Sequence, residues 1–160
     1  MEAIMKSKEE LEEAKLETQK HIILVRQFAD ILANTLVHRC EKHDASKLEQ
    51  PELEGFSGYT KKLNGCSYGS TEEVAYREEL KEIRKHHHAI NRHHPEYHEI
   101  GVDGMNIIDL LEMFVDWKAA SMRHAGYSDF PEGVALNCER FNVSPQLARI
   151  FMNSLDIFET

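Results

Sequence analysis

The segment His43-Asp44-Ala45-Ser46-Lys47 places an imidazole and a carboxylate side by side, with a cation three residues on. An adjacent histidine and aspartate can ligate a metal together, and a lysine one helical turn away can face the same pocket. Such a pair also arises by chance, so it gains meaning only from other ligands that a fold can bring to it. Ten histidines in 160 residues supply them, and the candidates that join the pair are His21, His87, His93, His94 and Asp116. Imidazole and carboxylate donors without thiolate suit Mn, Fe, Co, Ni or Zn. The expected cofactor is therefore a divalent transition metal, as one or two ions.

The elements that must position these side chains read as helices. From about Ser7 to Val37 neither Pro nor Gly intervenes, and Leu11, Ala14, Thr18, His21, Val25, Phe28, Leu32 and Thr35 follow steps of three and four on one seam. His21 thus points where the apolar residues point, a place that suits a core histidine as well as a ligand. A helix of about 31 residues is roughly 46 Å long, whereas a compact domain of this size is about 40 Å across. Its first turns are expected to overhang, with Ile4, Leu11 and Ala14 packing on a second copy of the chain in a homodimer. His38, nearer the polar end, reads as exposed. Ser46 is placed to cap a short helix that Pro51 interrupts or restarts.

Residues 55–70 hold four of the eight glycines and read as one long loop, either a lid or a plain connection. Ser70 and Glu73 form a capping box for a helix running towards His93, whose inner face carries Tyr76, Leu80, Ile83, His87 and Ile90, while His86 and His88 point to either side. Pro95 disfavours helix at His94, so His93 and His94 sit at the helix end, where two imidazoles can diverge towards neighbouring metal positions. The next helix spans Met105 to about His124, with Asp109, Glu112 and Asp116 interleaved among apolar residues. Carboxylates so placed are costly to bury unless paired, protonated or bound to metal. Asp109 reads as solvated, and Asp116, beside Trp117, as a buried ligand. Pro131-Glu132 and Ser144-Pro145 open two short helices, the second with Leu147, Ile150, Phe151, Leu155 and Phe158 as a packing stripe. The expectation is an all-α protein, a single compact domain over residues 1–160 with a long N-terminal helix.

Composition bounds the partners. Hydrophobic residues at 41% and charged residues at 29% fit a soluble globular chain, long enough to bury roughly 70% of its unfolded surface. The formal charge of -9 argues against an extended nucleic-acid surface, but not against a small phosphorylated substrate, because bound cations reverse the potential inside a pocket. Cys40, Cys66 and Cys138 form neither a disulfide framework nor a zinc ribbon, which fits a reducing cytoplasm. The first residues lack the composition of a secretory signal, and the longest strongly apolar run, Ile22 to Val25, is too short to cross a bilayer.

In chain order, His21, His43-Asp44, His87, His93-His94 and Asp116 resemble the ligand string of the HD-domain superfamily of metal-dependent phosphohydrolases. The resemblance implies an HD-like helical bundle in which His21, His43, Asp44 and Asp116 close one metal site. It also implies that His87, His93 and His94 bind a second ion, bridged by Asp44. The run at Lys47 looks like the His-Asp-x-Gly-Lys variant of dinuclear members, whose lysine meets the substrate phosphate. The Gly-Tyr-Pro signature of the cyclic-dinucleotide phosphodiesterases is absent. A fuller string is similar to an uncharacterised family of small phage and bacterial proteins: His21, His43-Asp44-x-Ser46-Lys47, Glu52, His87 with Asn91, His93-His94 with Glu96-Tyr97, Glu112-Met113 and Asp116-Trp117. The implied activity is hydrolysis of a phosphomonoester or phosphodiester in a small nucleotide or related compound by a metal-activated water. Lys47 with Arg92 would neutralise phosphate oxygens, and Glu52 or Glu112 would either move a proton or hold a ligand imidazole. Two alternatives stay open, an HD-type di-iron oxygenase and a non-catalytic module in which metal staples the helices or the pocket only binds a nucleotide.

Overall fold

In a computed structural model that describes residues 7–57, 70–122 and 130–159, with the side chain of Glu73 also outside the description, the chain is all-α. No strand occurs among the described residues, and no helix among them is long and apolar enough to cross a membrane. The chain divides into two units, one ending at Glu41 and the other beginning at Lys42.

The first unit is one helix, α1 (Lys8–Glu41), of 34 residues, or about 51 Å at the usual rise per residue. Ser7 and Glu10 start it with a reciprocal capping box: the Glu10 N–H donates to Ser7 Oγ at 3.2 Å and the Ser7 N–H to Glu10 Oε2 at 2.7 Å. Lys15 with Glu12 and Lys20 with Glu17 add pairs one turn apart along it. The helix runs four residues past the expected end at Val37. None of its residues is buried, so the seam expected to be covered is exposed, at Leu11, Val25, Phe28 and Leu32 among others. Leu11 and Ala14, expected at a homodimer interface, are exposed as well, and Ile4 lies outside the described residues. A helix of this length satisfies its backbone internally once nucleated, and uninterrupted sequence with a good cap favours it. His38 is exposed, as expected, and pairs with Glu41 at 3.3 Å.

The second unit contains α2 (Glu52–Phe56), α3 (Thr71–Glu79), α4 (Lys81–Ile90), α5 (Ile107–Ser121), α6 (Phe130–Arg140) and α7 (Pro145–Asn153). Short 3-10 turns lie at Ala45–Leu48, Pro95–Tyr97, Gly101–Gly104 and Leu155–Phe158. Its core sits on one side of α5, where Met113, Phe114 and Trp117 meet Phe130, Val134 and Cys138 of α6 and Phe151 of α7. The Phe114 and Phe151 rings stack at 5.0 Å, and Trp117 meets Phe151 edge-on at 5.5 Å. The expected stripe of the last helix is right except for Ile150, which is exposed. Ser144 caps α7 by accepting the Leu147 N–H at 3.3 Å.

The helix expected to run unbroken from Ser70 to His93 comes as α3 and α4. Leu80, buried between them, carries the hydrogen-bond ladder across, through Leu80 N–H to Tyr76 O and Arg84 N–H to Leu80 O. The run ends at Ile90, which is exposed rather than inward, because the Asn91 amide turns back to donate to the His87 carbonyl at 2.9 Å. α2 lies so close to α4 that a Cβ on Gly55 would stand 2.5 Å from Ile83 Cγ1, so glycine is needed for the approach. Ser46 does not cap the turn that contains it; its hydroxyl donates to Glu52 instead, at 2.8 Å. The expected loop falls largely on 58–69, and the expected end of α5 on 123 and 124, all outside the described residues.

Asp109 overturns its expected solvated placement: it has no exposed surface. Asn106 accepts the Ile108 and Asp109 N–H groups as the cap of α5, while the Asp109 carboxylate accepts the Asn106 N–H at 3.1 Å. Arg92 completes the set, donating from Nε to Oδ1 at 3.1 Å and from Nη2 to Oδ2 at 2.9 Å. The guanidinium expected to meet a phosphate is thus held in a two-point pair with a buried carboxylate. Hydrogen bonds to a charged group contribute about 1.5–3 kcal/mol, and Arg92→Ala is expected to lower unfolding free energy by that order in urea titration, with metal content unchanged. Unaltered stability would show the pair to be idle.

Candidate metal centre

Four parts of the second unit bring the donors together. His43 and Asp44 precede the turn at Ala45–Leu48, and Asp44 adopts φ 56 and ψ 16, a left-handed conformation that aspartate tolerates better than most residues. His87 projects from α4, and its neighbour Glu52 from α2. After Asn91 closes α4, extended backbone at His94 ahead of Pro95 delivers His93 and His94. The face of α5 away from the core carries Glu112 and Asp116.

Donor atoms of Asp44, His87, His93 and His94 all lie within 4.8 Å of one another, and His43, His93 and Asp116 form a second such group. Ligands at about 2.0–2.2 Å from an ion stand no more than about 4.4 Å apart across it, so the first group is close to closing on one ion. Asp44 Oδ1, His87 Nε2, His93 Nε2 and His94 Nε2 are buried without a hydrogen-bond partner. Buried polar atoms are nearly always paired, yet here three imidazole nitrogens and a carboxylate oxygen point into common space. Asp44 Oδ1 lies 3.0 Å from His87 Nε2 and 3.5 Å from His93 Nε2, but their orientations make no hydrogen bonds. Atoms that converge on a point rather than on each other are what a metal requires, and a set of three imidazoles and a carboxylate fits a divalent transition ion.

The imidazoles are fixed from behind. His87 Nδ1–H donates to Glu52 Oε2 at 2.8 Å, which leaves the lone pair of Nε2 facing the cluster. Glu52, fully buried, also accepts from Ser46 Oγ and, at Oε1, from His86 Nδ1 at 3.0 Å. Asn91 holds Ser46 in turn, its amide donating to the hydroxyl at 3.0 Å. Glu112 stands behind the other two rings, with Oε1 3.2 Å from His43 Nδ1 and 3.5 Å from His93 Nδ1. Rings of His43 and His93, of His93 and His94, and of His87 and His94 lie 4.2, 4.1 and 4.9 Å apart between centres.

Charge follows from this packing. Burial would raise the Asp44 pKa, but the cationic Lys47 and His43 beside it outweigh that and hold the carboxyl well below the ordinary range. Burial likewise acts against charge on His43, and Asp116, Glu112 and Asp44 overcome it, raising the imidazole to about 9. Burial, with His93, His88 and His87 beside it, pushes His94 down, so its nitrogen is unprotonated and able to ligate at neutral pH.

Of the expected ligands, Asp44, His87, His93 and His94 meet in one group, and His43 and Asp116 in the adjoining one with His93 shared. His94 belongs to the Asp44 group alone, and His93 to both groups. Asp116 is less buried than expected, its side chain 25% exposed, with Oδ1 3.3 Å from His43 Nε2. His21 is an exposed residue of α1, and both groups come from the second unit. Lys47 reaches the cluster as expected, its Nζ donating to Asp44 Oδ2. Ser46 and Asn91 as supports of Glu52 and His87 were foreseen only as motif members; the step of four from His87 to Asn91 on one helix face was the available sign. Residues 10–157 match the family of unknown function DUF5662, and the chain belongs to that family. No curated protein and no solved structure matches it.

Two outcomes test the centre. Outer carboxylates commonly change metal affinity about 10- to 100-fold, and Glu52→Gln is expected to weaken binding by that order in a competition titration with a chelating dye. The second concerns pH. A group whose pKa rises on folding contributes stability below its unfolded value of 6.5 and loses it as pH passes its folded value, here about 9. Chelator-treated protein should therefore melt lower at pH 9 than at pH 6.5. Added metal should stabilise more at the higher pH, because metal and proton compete for the imidazoles. A melting temperature of the metal-free protein that rises over this interval would contradict the His43 assignment.

Proposed function

We propose that the chain is a metal-dependent phosphohydrolase of the HD-domain kind, cleaving a phosphomonoester or phosphodiester in a small nucleotide or related phosphorylated compound. The observation that carries this reading is the place of Asp44. Its Oδ1 faces His87 and His93, whereas its Oδ2 meets Lys47 and lies 3.6 Å from His43 Nε2. The residue thus stands between the two donor groups and beside an ammonium.

Asp44, His87, His93 and His94 would hold one ion, and His43 with Asp116 a second. A bound divalent ion supplies a nucleophile near neutral pH by lowering the pKa of water, and offsets charge on a phosphoryl oxygen. The chain's own residues do the rest. Lys47 is held at the rim by Asp44, its side chain 34% exposed and 5.4 Å above the Phe56 ring, where it can meet a phosphate oxygen as negative charge develops. Glu52 and Glu112 have their oxygens against ligand imidazoles, which supports a role in orienting the rings rather than in carrying protons. Arg92, committed to Asp109, is given no part in the chemistry.

Metal-loaded protein assayed against a broad panel of phosphomonoesters and phosphodiesters should turn over at least one class. Asp44→Ala should lose metal and activity together. Lys47→Ala should keep its metal, by elemental analysis of the same sample, and lose about 100-fold or more in kcat, the order typical for one oxyanion-stabilising group. An inert parent, or a lysine variant that turns over normally, would refute the reading.

A further inference from the structure

One ring away from the cluster, a groove of about 660 Å³ opens along α3 and α4, with Arg140 of α6 also in its wall. His88 belongs to its wall, and the His88 ring lies 4.3 Å from that of His94. Arg77, Lys81, Arg84 and Lys85 line it in successive helical turns that lead towards His88. From residue 77 to residue 88 the stripe is about 16 Å long at the usual helical rise.

The charge of this groove opposes that of the chain. Five cations, Arg140 included, line it with two carboxylates, Glu78 and Glu96, although the whole chain carries -9; Arg77 and Arg84 have partners of their own, so the charge that counts here is that of Lys81 and Lys85. Glu96 is already engaged by His88 Nδ1 and by Arg140 Nη2, each at 3.2 Å. Glu78 pairs with Lys81 at 2.8 Å in an exposed contact, the kind that contributes little and yields readily to a better anion. Lys85 has no carboxylate partner among the described residues. A concave surface with an excess of one sign raises the local concentration of the opposite ion, and among the described residues the apolar members of the wall are Val74 and Ala89. Among the described residues no Phe, Tyr or Trp stands in the wall to stack a base.

We infer that this groove is a subsite for a run of phosphates, so that the substrate carries two or more phosphate groups in sequence and is read by charge rather than by its base. The inference rests on the phosphohydrolase reading and narrows it: one phosphate lies at the metal centre, and those beyond it lie against Lys81, Lys85 and their neighbours. Terminal attachment to a nucleoside is tolerated but not required.

The test is isothermal titration of the metal-loaded protein with inorganic tripolyphosphate, orthophosphate, a nucleoside triphosphate and a short single-stranded oligonucleotide. Tripolyphosphate and the nucleoside triphosphate should bind alike, each about tenfold or more above orthophosphate, since charge-assisted contacts add along the run. The double reversal Lys81→Glu with Lys85→Glu should remove that preference and leave metal content and the far-ultraviolet spectrum unchanged. Equal tripolyphosphate binding by the parent and the reversed variant would overturn the inference, as would tighter binding of the oligonucleotide than of tripolyphosphate. Binding is read without turnover, so the two ideas fail separately. An inert parent that binds tripolyphosphate through these lysines sinks only the hydrolase, while hydrolysis of monophosphates unaffected by the reversal sinks only the subsite.

Discussion

The second unit is built around the need to bury carboxylates. Glu52 and Asp109 have no exposed surface and Glu112 has 4%, and an uncompensated charge in such places costs several kcal/mol. Each is compensated by a different donor: His87, His86 and Ser46 for Glu52, Arg92 and the Asn106 backbone for Asp109, and His43 with His93 for Glu112. These partners come from distant parts of the chain, so meeting the electrostatic demand also joins the His43 turn, α2, α4 and α5. The apolar core on the opposite face of α5 keeps that helix in place. Helix α5 is thus buried on two sides, by aromatic packing on one and by charge pairing on the other.

This division explains what the amino-acid pattern did and did not reveal. Helices with an apolar period, a cap or a proline start were legible: α1, α5 and α7 lie close to where steps of three and four place them. Asp109 was misjudged because three carboxylates at helical spacing resemble a solvated face, and only the distant Arg92 distinguishes a buried member from an exposed one. Ile90 and Ile150 were placed inward by period alone, which cannot register that Asn91 ends its helix early or that the core is filled by other side chains. His87 was legible as the inward member of the triple-histidine run, whereas the Glu52 that orients it lies 35 residues away. The basic stripe from Arg77 to Lys85 carried no signal against an acidic chain, because helical pairing with glutamates is the ordinary fate of such lysines.

Backbone conformation and site chemistry meet at Asp44. A left-handed residue other than glycine costs on the order of 1–3 kcal/mol and persists only where its surroundings over-determine it. Here the surroundings are His87, His93, His43 and Lys47, all of which address its two oxygens. The same twist lets a residue next to His43 in sequence face a different donor group. Without it, successive side chains would be limited to one wall of the pocket, and Asp44 would no longer present Oδ1 to His87 and His93 and Oδ2 to His43 and Lys47.

The four unpaired buried atoms carry a thermodynamic consequence of their own. Leaving a buried donor or acceptor unsatisfied costs about 1–3 kcal/mol, and Asp44, His87, His93 and His94 contribute one such atom each. Outer partners such as Glu52 keep the rings aimed inward, so the fold cannot relieve the deficit by turning them towards one another. An ion that satisfies all four at once therefore binds only the folded arrangement, and its binding energy adds to stability by linkage. The structural consequence of a metal therefore needs only these four donors, whereas the phosphoester chemistry proposed above would also draw on the ammonium of Lys47 beside them.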